Sequence, residues 1–465
     1  MPKKRVLITI SFSFSIRYLV RSKLIYRMRE FCIPVIAITW NQADLIEELK
    51  NDGFEVYIVP ESERGFHYSD VRKKIDYWFR YFKLKSPTWS IEPRYLEQFN
   101  SFKTIFLDRV REYYNFFLLL IPSYKKRIFQ KEKELLLTDS NYLEIKTWLN
   151  SINIDAVFVV TPFHKQEEFI LRAAEKNGKL LLTSILSFDN IVKRGWIPVQ
   201  YSHYIVWNTR MKNEMLRIYG EWANENNTHV VGAIQFDFYH QLEKYLLPED
   251  EWRKLVGLPS TKQPIILFAG GAFSLYPQEH QFLKDINDAI ANNEIINNPI
   301  VLFRCHPIDT LDRWKKAVNN SENVFFDDSW KGKSKLTYSN ITDSDISKLV
   351  STLYYTDIHV STTSTMAVDG SVFNKPQIGP AYDNINKPRK YDLRSMYDQE
   401  YYLPVMQSGA LHIANSKTAL VQLINKALLE PKEVSKHSEK LVKGVIEFND
   451  GKATERVLEL LRKIV

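Results

Sequence analysis

Short apolar runs alternate with amphipathic stretches along most of the chain. In the first half, apolar runs of strand length lie at residues 6–10, 34–40, 55–60, 155–160, 180–184 and 204–208. Polar loops and helix-like segments such as 44–51, 166–177 and 210–219 separate them. Because buried parallel strands are continuously apolar and alternate with helices, this order predicts a doubly wound parallel sheet.

The second half repeats the alternation from a fresh start at residues 264–272, an apolar run that ends in a turn of small residues. Further strands are predicted at 301–304, 323–326 and 357–360, with helices near 280–292, 345–353, 417–429, 431–446 and 453–464. The fold class is therefore α/β, with two doubly wound domains that face each other across a cleft. We assign the domains to residues 1–240 and 263–465 with a linker at 241–262, and expect the last helix to pack back on the N-terminal domain.

Residues 70–135 interrupt the alternation of strands and helices and predict a helical insertion in the N-terminal domain. Its aromatic residues cluster at 77–83 and 113–121, and basic residues lie close by in the sequence. We expect these aromatic side chains to pack between helices. The alternative is that a basic, aromatic helical face lies on a membrane surface.

Composition and charge narrow the classes of function. The chain has 465 residues and a net charge of +8, which fits an anionic ligand or membrane surface better than a dedicated nucleic-acid binder. Cys32 and Cys305 are the only cysteines, so neither a disulfide framework nor a cysteine metal site is expected. No apolar window reaches transmembrane length, which predicts a cytoplasmic protein, with the inner face of the plasma membrane as the alternative.

Two polar segments follow predicted strands of the second domain. His306 comes directly after an apolar run, which Pro307 ends because proline cannot donate to a strand ladder. A run of five hydroxyl residues, 361–365, follows another strand and precedes a helix. An imidazole and a hydroxyl-rich helix start at carboxyl ends of strands suit a phosphate or diphosphate. A plain strand end and a helix cap are the structural alternatives.

These segments carry a resemblance to a known family. The chain resembles glycosyltransferases of the two-Rossmann (GT-B) fold. It is most similar to the bacterial surface-polysaccharide group, with its capsule Kdo-transferase-like, sialyltransferase-like and CDP-glycerol glycerophosphotransferase enzymes. The carrying motifs are Arg304-Cys305-His306-Pro307, the hydroxyl run 361–365, and Val368-Asp369-Gly370 before Lys375-Pro376, with support from 187–190 and 231–237.

The resemblance implies roles for individual residues of the second domain. His306 would contact the donor's phosphate, and Arg304 would help to stabilise the leaving nucleotide. Asp369 would hold the ribose, although relatives usually have Glu there. The remaining predicted donor contacts are Gly270, Gly271, Ser361, Thr362, Thr363 and Ser364.

The first domain is expected to bind the acceptor. Asp189 is our candidate base, with a simple Asp-Asn turn as the alternative. Ser13, Arg17 and His164 are the predicted acceptor-side residues, and His164 also fits a buried, hydrogen-bonded histidine. Asp343-Ser344-Asp345 has a metal-binding form, but its place before a helix favours capping, so no metal site is predicted.

We therefore predict a metal-independent glycosyltransferase without a cofactor. It would move a sugar from a nucleotide-sugar donor, of the CMP or CDP type, to a glycan or lipid-linked glycan acceptor. The first alternative is a CDP-glycerol-type polyol-phosphate transferase. The others are a nucleotide-sugar 2-epimerase, whose usual Gly-Thr-Arg-Pro-like loop is absent from residues 11–15, and a non-catalytic sugar-binding protein.

Overall fold

The computed structural model describes residues 2–60, 66–306, 308–319, 321–327, 339–383 and 392–465. Internal contacts divide the chain into two units. Unit 1 comprises Met1–Val231 and Thr454–Val465, and unit 2 comprises Gly232–Ala453. The first boundary between the two units therefore falls after Val231, whereas the sequence pattern predicted it at residue 240.

Unit 1 is built on a seven-stranded parallel sheet of order β3-β2-β1-β4-β5-β6-β7. The chain runs outward from β1 to β3 and then returns to place β4 against the other side of β1. The sheet therefore changes direction between β1 and β4, where doubly wound folds bind ligands. The strands are β1 (Arg5–Ile10), β2 (Ile33–Ile38), β3 (Glu55–Ile58), β4 (Ala156–Val159), β5 (Leu180–Ser184), β6 (His203–Val206) and β7 (Thr228–Val230).

Helices flank this sheet, and five of them form one insertion between β3 and β4. The α-helices are α1 (Ser13–Ile16), α2 (Leu24–Met28), α3 (Ala43–Asn51), α4 (Asp70–Trp78), α5 (Thr88–Leu96), α6 (Phe102–Leu120), α7 (Pro122–Thr138), α8 (Ser140–Ser151), α9 (Lys165–Lys176), α10 (Asn190–Lys193) and α11 (Thr209–Tyr219). The shorter helical turns are Arg17–Arg21, Phe66–Tyr68, Phe79–Leu84 and Glu97–Phe99.

The helical insertion predicted at 70–135 is confirmed, and it continues through α8. Its first aromatic cluster packs as expected: the rings of Tyr77 and Tyr81 lie 4.3 Å apart between centroids, and Phe82 stacks on Phe116 at 5.1 Å. The expectation of inward packing is wrong for much of the second cluster. Tyr113 and Phe117 on α6 are exposed, because the inward side of α6 carries Phe116, the buried Leu119 and the ion pairs of Arg109 and Glu112.

A cluster of buried charges holds the insertion against the sheet. Arg72 of α4 contacts Glu168 of α9 at 2.6 Å, and Arg172 of α9 contacts both Glu168, at 3.1 Å, and Glu132 of α7. Trp196 lies over both guanidinium groups, at 4.8 Å from Arg72 and 5.3 Å from Arg172. Because each buried charge has an opposite partner, the cluster ties three helices into one arrangement.

Unit 2 has a six-stranded parallel sheet of order β10-β9-β8-β11-β12-β13, which changes direction between β8 and β11. Its strands are β8 (Ile265–Ala269), β9 (Ile300–Arg304), β10 (Val324–Asp327), β11 (Ile358–Ser361), β12 (Gln377–Pro380) and β13 (Leu411–Ala414). Its α-helices are α12 (Leu242–Tyr245), α13 (Glu249–Leu255), α14 (His280–Ala291), α15 (Asp312–Val318), α16 (Asp343–Tyr355), α17 (Met366–Val372), α18 (Leu403–Ser408), α19 (Lys417–Leu429), α20 (Pro431–Val434) and α21 (Ser438–Ile446). Shorter helical turns lie at Ile234–His240, Leu393–Asp398 and Glu400–Tyr402.

The segment 241–262 is part of unit 2, in contrast to the predicted linker. It contains α12 and α13, and Trp252 is fully buried with its indole N–H donating to Thr352 at 3.0 Å. The Leu247 N–H donates to Ser351 at 2.9 Å. A buried aromatic anchor outweighs the prolines and charges that suggested a linker.

The last helix, α22 (Ala453–Ile464), belongs to unit 1 from its second residue onward. Glu455 pairs with Arg27, and Arg462 pairs with Glu30 at 2.5 Å. Within the described ranges, no helix has both the length and the apolar character needed to cross a bilayer.

We predict that Glu168→Gln destabilises unit 1. Burial alone would raise the pKa of Glu168, but the guanidinium of Arg72, with His67 and Arg172, more than offsets burial and holds the pKa below its ordinary range. Breaking a buried ion pair costs about 3 kcal/mol or more, which corresponds to a fall of about 6–12 °C in the melting midpoint of a unit of this size. Thermal melting at pH 7 measures this loss.

The control is Glu30→Gln, which removes an exposed ion pair and should change the midpoint little. Because the pKa of Glu168 is depressed, its stabilisation is present above the unfolded carboxyl pKa of about 4.3 and is lost as the pH falls further. The difference in melting midpoint between wild type and Glu168→Gln should therefore become smaller below about pH 4. Equal shifts for the two variants at pH 7 would show that the cluster does not anchor the insertion.

Candidate functional site

Strand register brings the predicted donor residues of unit 2 to one edge of its sheet. Ser361 on β11 pairs with Ala269 on β8, and Ala269 pairs with Arg304 on β9. These three residues end their strands, so the segments that follow them all leave the sheet at the same edge. The edge includes the point between β8 and β11 where the sheet changes direction, which is the usual position for a ligand in this architecture.

Two tyrosine side chains hydrogen-bond to the hydroxyl run at residues 361–365. The Tyr276 hydroxyl bonds the Thr363 hydroxyl, and the Tyr402 hydroxyl donates to the Ser364 carbonyl at 3.2 Å. Thr363 has φ of +32°, which is unusual for a β-branched residue. Strained backbone of this kind is concentrated at ligand sites, so this turn is the strongest conformational sign of function in unit 2.

The last residue of the hydroxyl run does not cap the helix that follows it. Helix α17 begins at Met366, and the residue before it, Thr365, makes no side-chain capping bond. Instead, Ser364 accepts a hydrogen bond from the Met366 N–H at 3.2 Å. The hydroxyls are therefore ordered mainly by the turn and its tyrosines.

Close packing explains the glycines at positions 270 and 271. A Cβ on Gly270 would lie 2.9 Å from the ring of Trp314, and a Cβ on Gly271 would lie 2.6 Å from the ring of Tyr276. The Gly271 N–H also donates to Glu279 at 2.6 Å. The glycine turn thus has a structural explanation, and its contact with the nucleotide remains a prediction.

His306 lies half-buried just beyond β9, while its neighbour Pro307 lies outside the described residues. The Ile308 N–H donates to Nδ1 of His306 at 3.3 Å. An accepting Nδ1 places the proton of the neutral ring on Nε2, because only one ring nitrogen carries hydrogen in that form. In that form, His306 therefore carries its hydrogen-bond donor on Nε2.

Arg304 shares a buried carboxylate with a lysine that sequence analysis did not select. Asp327 lies 2.6 Å from Lys348 Nζ and 3.7 Å from Arg304 Nη1. Among the described residues, this carboxylate therefore faces cations from two different elements, β9 and α16.

Arg313 is a second residue that sequence analysis missed. Its guanidinium bonds Asp309 at 2.6 Å, the carbonyl of Tyr276 at 2.9 Å and the carbonyl of Gly271 at 3.3 Å. It therefore joins the segments that follow β8 and β9. The spacing of four residues between Asp309 and Arg313, in a helix-forming stretch, was the available signal.

Asp369, the predicted ribose ligand, is buried on α17 and already engaged. The Tyr239 hydroxyl donates to it at 2.5 Å. The predicted ribose contact would have to share this carboxylate, so the role of Asp369 remains a prediction.

The predicted residues of unit 1 also lie at the carboxyl edge of their sheet. Ser13 and Arg17 follow β1, His164 follows β4, and Asp189 follows β5. The imidazole of His164 stacks on Phe12 with the rings 5.7 Å apart and nearly parallel. These positions flank the β1–β4 switch point.

His164 is neutral at physiological pH. Burial, aided by Arg194 and His67, lowers the pKa of His164 to about 4. Its Nδ1 is buried and has no hydrogen-bond partner among the described residues. The neutral ring therefore has an unpaired acceptor nitrogen, although burial makes it a weaker base than an exposed histidine.

Glu167 is the acidic residue that sequence analysis overlooked at this edge. It is fully buried, and the hydroxyls of Thr9 and Ser11 donate to its Oε1 at 2.7 and 2.6 Å. Burial raises the pKa of Glu167 to about 7, although these hydroxyls oppose the shift. In the sequence it looks like an ordinary acidic residue in the first turn of a helix.

Asp189 is less distinctive. It is half-buried before α10, makes no capping bond to that helix, and accepts a hydrogen bond from the Asn190 side chain at 3.0 Å. Arg17 places its guanidinium 5.6 Å from the ring of Phe14. Both residues remain predicted contacts of the acceptor.

Asp343-Ser344-Asp345 has a structural role at the start of α16. The capping residue is Thr342, directly before this motif, and it forms a capping box in which Asp345 accepts from the Thr342 N–H at 2.9 Å. Among the described residues, no group of three or more His, Cys, Asp or Glu side chains is arranged to hold a metal ion.

Comparison with known families gives a match over more than half of the chain. Residues 193–463 match the family model described as CDP-Glycerol:Poly(glycerophosphate) glycerophosphotransferase. The matched region contains all of unit 2. No curated protein matches the chain significantly.

Solved structures share the fold at low sequence identity. A putative UDP-N-acetylglucosamine 2-epimerase from Listeria monocytogenes has a TM-score of 0.55 and 11% identity, covering 100% of this chain and 97% of that one. The UDP-GlcNAc 2-epimerase from Methanocaldococcus jannaschii has a TM-score of 0.54 and 14% identity, covering 99% of each chain. The wall teichoic acid polymerase TagF, soaked with CDPG for 15 minutes, has a TM-score of 0.51 and 12% identity, covering 100% of this chain and 88% of that one. These likenesses confirm the predicted fold class of two doubly wound α/β domains.

We predict that Glu279→Gln makes unit 2 more stable at pH 8. Burial raises the pKa of Glu279 to about 7, against the opposing hydrogen bonds from Gly271 and Thr362. Because the folded pKa is raised, the contribution of Glu279 to stability is fully present below about pH 4.3 and is lost as the pH rises through 7. The glutamine amide stays neutral at every pH. Above pH 7 the free energy of unfolding of the variant should therefore exceed that of wild type by up to about 3 kcal/mol.

Melting midpoints at pH 5 and pH 8 measure this change. The exposed Glu294→Gln is the matched control and should show no such pH dependence. A Glu279→Gln protein that melts below wild type at pH 8 would contradict the raised pKa.

Proposed function

The chain belongs to the CDP-glycerol:poly(glycerophosphate) glycerophosphotransferase family, and we propose that it transfers glycerol phosphate or a related polyol phosphate from a CDP-linked donor. The observation that carries this proposal is the family match across residues 193–463. It favours the polyol-phosphate alternative over sugar transfer from a nucleotide sugar. The proposed acceptor is a hydroxyl of a polyol-phosphate polymer or a related lipid-linked glycan.

The proposed reaction is a phosphoryl transfer. The acceptor hydroxyl oxygen bonds to the phosphorus next to the polyol, and the bond from that phosphorus to the bridging oxygen breaks. CMP leaves with the electron pair, and the hydroxyl proton passes to a base. Nothing is oxidised or reduced, and we propose that no cofactor is needed.

We propose that unit 2 binds the donor at the edge formed by β8, β9 and β11. Positioning and charge stabilisation dominate phosphoryl transfer. The Nε2–H of His306 and the hydroxyl of Ser364 are the proposed donors to the diphosphate. Arg304 lies at the end of β9, at the same edge, and is the proposed cation for the leaving nucleotide.

We propose that His164 of unit 1 accepts the proton from the acceptor hydroxyl. It is neutral, its Nδ1 has no partner among the described residues, and it follows β4 at the switch point. Asp189, the base expected from the sequence, follows the next strand of the sheet and already accepts from Asn190. Support for His164 therefore comes from its availability and its place in unit 1.

The epimerase alternative has no specific support. The epimerases share the fold at 11–14% identity, and likeness at this level carries no argument about activity.

Replacing His306 should abolish most of the transfer activity without unfolding unit 2. We expect His306→Asn to lower kcat by about 10²–10³ because a hydrogen bond to the developing charge is lost. The assay measures CMP release from CDP-glycerol in the presence of a polyol-phosphate acceptor. His412→Asn is the control, since His412 lies on β13, about 19 Å across the sheet from β9.

Thermal shifts with CMP, CDP-glycerol and UDP-N-acetylglucosamine test the donor class independently, because a ligand of the folded state raises the midpoint. Stabilisation by CDP-glycerol supports the proposal. Stabilisation by UDP-N-acetylglucosamine alone would overturn it and direct attention to epimerase chemistry.

Variants at the two candidate bases should differ in rate. We expect His164→Asn to lower kcat by about 10²–10⁴, the usual contribution of a general base, with Asp189→Asn remaining within about tenfold of wild type. CMP release under saturating donor measures both. A large loss in Asp189→Asn with little change in His164→Asn would assign the base to Asp189.

A further inference from the structure

The side chain of Glu167 joins two segments of unit 1 at the switch point of its sheet. Its Oε1 accepts from the hydroxyl of Thr9 at 2.7 Å and from the hydroxyl of Ser11 at 2.6 Å. Glu167 lies in the first turn of α9, which follows β4, whereas Thr9 lies on β1 and Ser11 directly after it. One carboxyl group therefore connects the helix after β4 to the segment that leaves β1.

The two hydroxyl donors differ in how their backbone is held. Thr9 pairs with Ala37 of β2 in the sheet, so its position is fixed without its hydroxyl. Ser11 lies beyond Ile10, the last paired residue of β1. The hydrogen bond to Glu167 therefore contributes more to the position of Ser11 than to the position of Thr9.

The residue after Ser11 is Phe12, which stacks on the imidazole of His164. The two ring centroids lie 5.7 Å apart and the ring planes differ by 2°. No hydrogen bond within the described ranges holds the His164 ring, and its Nδ1 is buried. The imidazole of a general base is ordinarily oriented by a hydrogen bond to its second nitrogen. Here the orientation of the ring depends on the stack with Phe12.

The surroundings of Glu167 favour its neutral form. The side chain is fully buried, and its Oε2 has no hydrogen-bond partner in the part of the chain that the structure describes. Burial raises the pKa of Glu167 to about 7, against the opposing hydroxyls of Ser11, Thr9 and Thr161. A neutral carboxyl group can still accept both hydroxyl hydrogen bonds on Oε1 and carry its proton on Oε2.

Charged and titratable groups near Glu167 do not compensate its charge. Among the described residues no cation pairs with it. Its neighbour on α9, Glu168, is already paired with Arg72 and Arg172. Tyr201, before β6, faces Glu167 from another element: burial raises the pKa of Tyr201 well above its ordinary value, and the charge of Glu167 adds to that shift.

We propose that Glu167 is a positioning residue for His164. In its neutral form it holds Ser11, and this keeps the Phe12 ring stacked on the imidazole. The inference rests on the proposed function for the role of His164 as proton acceptor. The arrangement of these side chains can nevertheless be measured without any substrate.

Ionisation of Glu167 should loosen this arrangement, because a buried carboxylate without a cation requires water or a shift of the Ser11 segment to solvate it. Since the folded pKa is raised, the stabilising contribution of the group is fully present below about pH 4.3 and is lost as the pH rises through 7. We expect the kcat of wild type to fall between about pH 6 and about pH 8.5. His164, with a pKa of about 4, does not titrate in this range.

Four variants separate positioning from stability. Ser11→Ala should lower kcat about 10–10²-fold, because a shift of about 1 Å at a reacting group has effects of this size, whereas Thr9→Val should remain within about twofold of wild type. Glu167→Leu should resemble Ser11→Ala. Glu167→Gln keeps an oxygen that can accept both hydroxyls, so it should match wild type at about pH 6 and lack the fall toward about pH 8.5. CMP release gives kcat, and melting midpoints show that each variant is folded.

NMR of protein with ¹³C-labelled histidine reads the position of the His164 ring without substrate. The signal that is absent from His164→Asn belongs to His164, and the ring current of Phe12 shifts it. We expect Phe12→Leu, Ser11→Ala and Glu167→Leu to lose this shift, and Thr9→Val and Glu167→Gln to keep it.

Two results would overturn the proposal. One is an equal loss of kcat in Ser11→Ala and Thr9→Val, which would make both hydroxyls merely structural. The other is an unchanged ring-current shift in Ser11→Ala and Glu167→Leu. If the wild type releases no CMP, the proposed function fails, and the NMR result alone decides whether Glu167 positions the His164 ring.

Discussion

Parallel strand pairing is the constraint on which both candidate sites depend. In a parallel sheet every strand ends at the same edge, so residues far apart in the chain meet as soon as the register is set. In unit 2, the pairs Ser361–Ala269 and Ala269–Arg304 bring the hydroxyl run, the glycine turn and the segment of His306 to that edge. In unit 1, the same rule places Ser13, His164 and Asp189 together.

The sheets, and the sheet edge at which the candidate residues lie, could be predicted from the sequence because both depend on local pattern. Continuous apolar runs predicted most strands, and His306 and residues 361–365 were selected as candidates because they follow such runs directly. The supporting contacts were not predictable, since they join distant positions. Thr9 and Glu167 are 158 residues apart, and Tyr276 and Thr363 are 87 apart. No local pattern connects such pairs.

The insertion shows where periodicity alone fails. The spacing of its aromatic residues predicted a helix but did not say which side of it faces the protein. That choice depends on the ion pairs of Arg109 and Glu112 with residues of neighbouring helices. With these half-buried ion pairs on one side of α6, Phe117 and its neighbours lie on the exposed side. The linker prediction failed for a similar reason, because burial of Trp252 outweighed the local composition.

The carboxylate of Asp327 has a consequence for the proposed transfer. It is buried and lies 2.6 Å from Lys348 and 3.7 Å from Arg304, so it offsets part of the positive charge at this edge of the sheet. Cations that share a carboxylate attract an anion less strongly than cations without one. In the proposed reaction, this weaker attraction would help the nucleotide product to leave once the polyol phosphate has been transferred.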